Sequence, residues 1–294
     1  MFVMTKRKIW YGLSLFFLLV GLISFAFQGL NKGIDFTSGN VLQIKFEAVV
    51  SSEEVETVLT EQDLGGYSIQ TAGSSSEYLI RSKELTEDEN KGLLAALTDK
   101  FGENEIKRNE KIGEVIGREL TQKAVIALAI ASVLMIIYIS FRFETTFGIA
   151  AVLALLHDVL VTIGVFSLLQ IEIDGAFVAA LLTIVGYSIN NTIVIFDRVR
   201  ENMGIMKKVE LINIVGISIE QTIFRSISTA LTVVFALVSL LLLGGSSTKI
   251  FAFALLIGTV VGTYSSVCIA TSLWFDLKSK FSKGFSLKPV KTRQ

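Results

Sequence analysis

Residues 146–169, TFGIAAVLALLHDVLVTIGVFSLL, are joined by a short acidic turn to residues 176–196, AFVAALLTIVGYSINNTIVIF. Roughly 20 helical residues, each rising about 1.5 Å, cross a hydrocarbon core about 30 Å thick. Both segments reach that length. Residues 147–200 therefore predict a helical hairpin that crosses a membrane, and the rest of the chain is interpreted around it.

Polar residues inside this hairpin are its most informative feature. Asp158 lies near the middle of the first segment, and Asn190 and Asn191 lie in the second half of the other. An acidic residue at mid-span costs about 2.5–3.5 kcal/mol on insertion scales, so it usually faces protein or water and is a functional candidate. Asp158 is the only acid deep in any predicted span, which makes it the first candidate site residue.

The composition is that of a polytopic membrane protein. Hydrophobic residues make up 51% of the chain and charged residues 18%, and the mean hydropathy is +0.62. A formal net charge of zero does not indicate nucleic acid as a partner. The single cysteine, Cys268, and the single histidine, His157, exclude an intrachain disulfide and metal sites with several Cys or His ligands. No cofactor is predicted, and no nucleophile–base pair or phosphate loop indicates an enzyme.

The apolar run at residues 9–27 follows the basic cluster Lys6-Arg7-Lys8 and predicts a first span. A cleaved signal peptide is the alternative, because residues 24–26 loosely resemble a cleavage site. The run is longer than the usual 7–15 residues of a signal's apolar core. We therefore predict a retained helix.

The polar residues 28–122 predict a folded domain on one side of the membrane. Strand-like alternation occurs at residues 41–46, 67–71, 78–81 and 106–111, and capping-box patterns start helices at Ser51 and Thr86. The resulting order, β-α-β-β-α-β, is typical of a ferredoxin-like α+β sandwich.

The remaining chain completes a prediction of six transmembrane helices, with residues 28–122 between the first two. The other spans are predicted at residues 123–140, 225–243 and 249–275, with an amphipathic segment along the membrane face at 209–224 and a basic tail at 276–294. With six spans, the basic short loops and both ends fall on one side. The positive-inside rule then places both termini in the cytoplasm and residues 28–122 outside.

A largely polar face on the fourth predicted span supports Asp158 as a site. Residues at three- or four-residue spacing along it are Thr183, Tyr187, Asn190 or Asn191, Val194, and Asp197 or Arg198. Such residues commonly join helices through hydrogen bonds worth about 1 kcal/mol or less, which stays an alternative. Asp158, with Thr162 one turn later, favours proton carriage, because joining helices rarely needs an acid. The predicted site is Asp158, supported by Asn190, Asn191, Thr162, Tyr187 and Arg198.

Two further features of the spans favour packing. His157 adjoins Asp158, but neighbouring helical residues point about 100° apart, so we favour a packing or interhelical hydrogen-bonding role for it over the alternative, proton transfer. Gly258 and Gly262 form a small-xxx-small pattern that lets a neighbouring helix approach closely.

Three stretches together resemble the SecF branch of the SecD/SecF family. Members of that family are accessory subunits of the bacterial Sec protein translocase. They are Gly33-Ile-Asp-Phe-Thr-Ser-Gly39, Leu155-Leu-His-Asp-Val159, and the long motif from Ile184 to Asn202. The resemblance covers nearly the whole chain. It implies a six-span member of the resistance-nodulation-division superfamily in the bacterial cytoplasmic membrane.

The resemblance also implies partners and an energy source. It implies pairing with SecD and use of the proton gradient to promote passage of secreted polypeptides through the SecY, SecE and SecG channel. Asp158 matches the acid thought to carry protons in that family. Ser38 replaces a usual glycine, and Asn191 stands where many relatives have Asp, which leaves coupling to sodium open.

Two other functions remain as alternatives. Half of a proton-driven small-molecule exporter would need a large apolar cleft in the external domain, which the compact β-α-β-β-α-β pattern does not favour. A purely structural assembly subunit would use Asp158 only to fasten helices.

Overall fold

The computed structural model describes residues 2–37, 39–62, 64, 67–72, 76–142, 144–244 and 246–284. Its elements in chain order are α1 (Phe2–Thr5), α2 (Arg7–Gln28), α3 (Ile34–Thr37), β1 (Gly39–Phe46), α4 (Ser52–Glu61), β2 (Tyr67–Thr71), β3 (Glu77–Ser82), α5 (Glu87–Phe101), β4 (Asn104–Ile112), α6 (Glu114–Arg142), α7 (Thr145–Leu169), α8 (Gly175–Ile205), α9 (Leu211–Leu243), α10 (Ser246–Ser265), a π-helix (Ser266–Ala270) and α11 (Thr271–Gly284). The chain forms two compact units, one built from Lys32–Val125 and one from the residues on either side.

The smaller unit is a four-stranded sheet with two main helices. The strands lie in the order β2-β3-β1-β4, and every neighbouring pair is antiparallel. Alternate residues of β1 (Leu42, Ile44 and Phe46) are buried in one apolar core with residues of α4 and α5. Period-two alternation therefore supplies the inner face of the sheet.

Both helices of the smaller unit begin with the predicted capping boxes. Ser51 and Thr86 accept hydrogen bonds from the backbone N–H groups of Glu54 and Glu89, whose carboxylates accept bonds in return. These bonds to the backbone hold the pKa of both carboxyls below its usual range. The local sequence thus fixes where α4 and α5 start.

The larger unit contains the apolar helices. Among the described residues, five helices are long and apolar enough to cross a membrane: Arg7–Gln28, Thr145–Leu169, Gly175–Ile205, Leu211–Leu243 and Thr248–Lys280. The most apolar part of α7 is 61% buried, against 17% for α2 and for α9. α7 is therefore the central helix of this bundle, and α2 and α9 are peripheral.

Two spans differ from the sequence prediction. The predicted second span lies within α6, which does not qualify as a span on the described residues. The predicted amphipathic segment at residues 209–224 is not a separate helix, because α9 runs unbroken from Leu211 to Leu243. Its polar residues bind α8 instead: Gln221 accepts hydrogen bonds from Arg198 at 2.6 Å and from Asn202 at 2.9 Å.

Contacts at the two ends of the bundle define its direction. At one end, called here the Arg7 end, Arg7 pairs with Asp276 at 3.2 Å and Lys278 pairs with Glu144 at 2.5 Å. At the opposite end, called the Gln28 end, the Gln28 amide donates to the backbone carbonyl of Ser167 at 3.0 Å.

Glycines bring α2 and α7 together between these ends. A Cβ built on Gly21 would lie 2.8 Å from the Gly164 Cα, so the two backbones are in direct contact. The hydroxyls of Ser24 and Ser167 share a hydrogen bond of 2.9 Å beside this contact. The absence of side chains here is what allows the first helix to lie against the central one.

Candidate functional site

Asp158 lies at the middle of α7 and is fully buried, with 0% of its surface exposed. Ser188 of α8 donates a hydrogen bond to Asp158 Oδ2 at 2.5 Å, and Ser265 of α10 donates to the same oxygen at 2.7 Å. His157 Nδ1 lies 3.0 Å from the other carboxylate oxygen, Oδ1. The carboxyl group is therefore held by side chains from all three of the tightly packed helices α7, α8 and α10.

Small residues on α10 make room for this cluster. A Cβ built on Gly262 would lie 3.1 Å from Ser188 Cβ and 3.5 Å from Asp158 Oδ2. A Cβ on Gly258 would collide with the side chain of Ile184 on α8. The predicted close packing at Gly258 and Gly262 is confirmed, and at Gly262 it also lets α10 reach the carboxyl group.

A second set of hydroxyls lies beside the first. Ser266 donates to the carbonyl of Gly262 at 2.7 Å and shares a hydrogen bond with Thr192 of α8 at 2.9 Å. Ser265 and Ser266 are neighbours in sequence, yet both side chains are fully buried. The π-helix begins at Ser266, and its wider turn lets two successive hydroxyls face the helix interface. π-Helical turns inside α-helices often occur at functional sites.

The structure distributes the other predicted site residues over several places. Thr162 is buried and donates to the backbone carbonyl of Asp158 at 2.8 Å, not to its carboxylate. Asn191 is buried and Asn190 is exposed, and in the described part of the chain neither donates to Asp158. Tyr187 has a buried hydroxyl with no partner among the described residues. Arg198 binds Gln221 and Glu201, away from the carboxyl group.

His157 is buried beside the carboxyl group. The 100° offset between neighbours favoured packing or an interhelical hydrogen bond over proton transfer, and the imidazole packs in the bundle but turns back to the adjacent Asp158. Sequence reasoning also missed Ser188 and Ser265. A single serine in an apolar span does not by itself predict a site residue. The two consecutive serines, Ser265 and Ser266, are a stronger indication of a polar site in the last span.

Aromatic clusters lie along α7 on both sides of Asp158. Towards the Arg7 end, Phe147 stacks on Trp274 at 4.3 Å between ring centres and lies 4.8 Å from Phe196. Towards the Gln28 end, Phe166 lies 4.5 Å from Phe177. All five side chains are buried. At about 1.5 Å per residue, the two clusters lie roughly 16 Å and 12 Å from Asp158 along the helix.

This geometry suits reversible binding of one small cation, most simply a proton. Two hydroxyls donate to the carboxylate and His157 Nδ1 can donate in one of its tautomers, whereas burying a charge at mid-helix costs free energy. The hydrogen bonds thus favour the charged carboxylate, and the apolar surroundings favour the neutral carboxylic acid. No group of three or more His, Cys, Asp or Glu residues that could hold a metal ion occurs in the described part of the chain.

Comparison with known protein families gives matches along the chain. The model of the family "Protein export membrane protein SecD/SecF, C-terminal" matches residues 93–280. That of the "SecD/SecF GG Motif" matches residues 23–48.

Curated proteins named protein translocase subunit SecF are similar over nearly their whole length. The one from Sebaldella termitidis is 41% identical over 286 residues, which cover 95% of this chain and 92% of that protein. The one from Magnetococcus marinus is 43% identical over 276 residues, which cover 91% and 89%.

Solved structures show the same similarity in three dimensions. The crystal structure of SecDF, a translocon-associated membrane protein from Thermus thermophilus, matches with a TM-score of 0.84 and 34% identity over 94% of this chain. The present chain spans only 38% of that solved chain. SecDF in a super-membrane-facing form matches with a TM-score of 0.68 and 31% identity, over 96% of this chain and 39% of that one. The family match over more than half of the chain and the identity to these relatives agree: the chain belongs to the SecD/SecF family of protein-export membrane proteins.

Proposed function

We propose that this chain is an accessory subunit of the Sec translocase that uses the proton-motive force to promote export of secreted polypeptides. It would pair with SecD and act on polypeptide passing through the SecY, SecE and SecG channel of the bacterial cytoplasmic membrane. Family membership supports the export role, and the name SecDF of the similar structures supports SecD as the partner.

One observation carries the coupling part of the proposal, namely the burial of Asp158 within a cage of hydrogen-bond donors. Ser188 and Ser265 donate to one of its oxygens, and His157 Nδ1 lies 3.0 Å from the other. Burying an ionisable group at mid-span costs free energy, so residues of this kind usually have a function. Asp158 is therefore proposed as the proton carrier, with Ser188 and Ser265 orienting its carboxylate.

The smaller unit is proposed to be a ferredoxin-like domain outside the membrane. Its β-α-β-β-α-β order and its sheet order β2-β3-β1-β4 support that assignment. α6 is proposed as the remaining span, which gives six and leaves both termini in the cytoplasm. A groove on this unit has charged walls that include Lys45, Glu47 and Glu103, which does not favour an exporter of small apolar molecules.

Separate ion gradients test the proposed function. Vesicles containing the channel, SecD and this chain should export more protein when a proton gradient alone is imposed, and a proton ionophore should remove the gain. Vesicles lacking SecD should show no gain, because transport routes in this architecture form between two homologous halves. Stimulation by a sodium gradient alone, with none by protons, would overturn the choice of ion.

Cysteine labelling tests the proposed topology. In a Cys268→Ala background, an impermeant thiol reagent should label intact cells at Glu61→Cys in the smaller unit and not at Lys208→Cys. Both positions are exposed, and the basic loops predict that Lys208 faces the cytoplasm. Permeabilised cells, in which both cysteines should react, are the control. Labelling of Lys208→Cys alone in intact cells would reverse the orientation.

A further inference from the structure

The imidazole of His157 uses only one of its two nitrogens. Nδ1 lies 3.0 Å from Asp158 Oδ1, whereas Nε2 is buried and has no hydrogen-bond partner among the described residues. The side chain is only 7% exposed. A buried polar atom without a partner destabilises the fold, so the presence of one calls for a physical reason.

Polar groups of α2 and α10 lie next to this histidine. The Tyr264 ring centre is 6.4 Å from that of His157. The Tyr264 hydroxyl donates to the backbone carbonyl of Trp10 at 3.0 Å and lies 3.1 Å from Ser14 Oγ. Trp10 and Ser14 belong to the first half of α2, and Trp10 lies three residues after Arg7.

Further polar contacts lie at the Arg7 end. The Tyr11 hydroxyl donates to Asp276 at 3.0 Å, and Asp276 pairs with Arg7 at 3.2 Å. Two groups of polar contacts, Tyr264–Ser14 and Tyr11–Asp276–Arg7, thus involve the first part of α2. Between α7 and α11, also towards the Arg7 end, the stacked rings of Phe147 and Trp274 fill the interior of the bundle.

We propose that His157 passes protons between Asp158 and water on the Tyr264–Ser14 side, towards the Arg7 end. The inference rests on the proposed function, in which Asp158 carries protons, and adds the route by which they reach it. His157 is the only described side chain that touches the Asp158 carboxylate with one atom and leaves a second polar atom unpartnered.

In the proposed transfer, one hydronium ion supplies the proton that reaches Asp158 through His157. His157 starts neutral, with its proton on Nδ1 directed at the Asp158 carboxylate. A proton from hydronium bonds to Nε2, the Nδ1–H bond breaks, and that proton bonds to Oδ1. The products are water, a neutral imidazole protonated on Nε2 and a neutral carboxylic acid. After Asp158 has released its proton, loss of the Nε2 proton to one water and gain of a proton at Nδ1 from another restore the starting tautomer with no net change in charge.

An orienting role would leave a different signature from a relay. The asparagine of His157→Asn places an N–H close to the position of Nδ1, so it can still donate to Asp158, but an amide cannot accept one proton while releasing another. His157→Asn therefore separates positioning from transfer. Tyr264→Phe provides an independent variant, since it keeps the ring and removes only the hydroxyl.

The test measures gradient-driven export with wild-type SecD and channel, together with the membrane level of each variant. His157→Asn should assemble normally and lower the gradient-dependent part of the export rate at least tenfold. Tyr264→Phe should lower it several-fold, and a solvent deuterium isotope effect on that part should be larger in Tyr264→Phe than in wild type. If His157→Asn fails to accumulate, Tyr264→Phe decides alone. Wild-type gradient-driven rates in both variants would overturn the relay, whereas wild-type rates in Asp158→Asn would overturn the proposed function itself.

Discussion

Replacing Asp158 with asparagine is expected to abolish the gradient-dependent part of export while the chain still folds and binds SecD. The asparagine carbonyl can accept the hydrogen bonds of Ser188 and Ser265 that now reach Oδ2. Its amide can donate to His157 Nδ1, because a neutral imidazole can accept at that nitrogen in its other tautomer. The network is retained, and only the exchangeable proton is lost.

The measurement is the export rate of Asp158→Asn with and without an imposed proton gradient. We expect both rates to equal that of wild type treated with a proton ionophore. Asp174→Asn is the matched control: Asp174 is also a buried acid, and it accepts the Phe177 N–H at 2.9 Å at the start of α8. Asparagine caps helices equally well, so this variant should export normally. Full gradient stimulation in Asp158→Asn would leave helix fastening as the role of the acid.

Gly21→Ala is expected to destabilise the packing of the first helix on the bundle. The added Cβ would lie 2.8 Å from the Gly164 Cα. A backbone atom cannot turn aside as a side chain can, so α2 and α7 must move apart. Overpacking of this kind typically costs about 1–3 kcal/mol. The Ser24–Ser167 hydrogen bond beside the contact would be strained as well.

Thermal unfolding of the purified chain in detergent measures this effect. Gly21→Ala should lower the Tm, whereas Gly12→Ala, on the same helix, should leave it unchanged or raise it. A Cβ on Gly12 meets no atom within 4 Å, and alanine favours a helix over glycine by about 1 kcal/mol. Equal Tm values for the two variants would contradict close backbone contact at Gly21.

Features that depend on neighbours in sequence were predictable. The capping boxes at Ser51 and Thr86 depend on a residue three positions away, and both helices begin where they predict. The apolar runs around Asp158 also predicted helices whose ends lie within a few residues of those observed, apart from the longer C-terminal part of α8. Such signals are local, so one sequence contains them completely.

Features that depend on contacts between distant residues were not predictable. The amphipathic pattern of residues 209–224 predicted a segment along the membrane face, whereas Gln221 pairs with side chains of α8. Ser188 and Asn190 are two positions apart, about 200° around a helix, and the sequence did not show which faces Asp158. Ser265 is 107 residues from Asp158, and no local pattern links the two.

The aromatic clusters on either side of Asp158 determine how a membrane voltage would act on a proton bound there. Voltage falls mainly where water is excluded, and one elementary charge crossing 100 mV gains about 2.3 kcal/mol. Along α7, Asp158 lies eleven positions after Phe147 and eight positions before Phe166. With water held outside both clusters, 100 mV divided in that proportion would do work of about 1.3 kcal/mol on the Arg7 side of Asp158 and about 1.0 kcal/mol on the Gln28 side. In that closed state a single carboxyl group divides the transit into two steps of similar electrical work, each about twice the thermal energy.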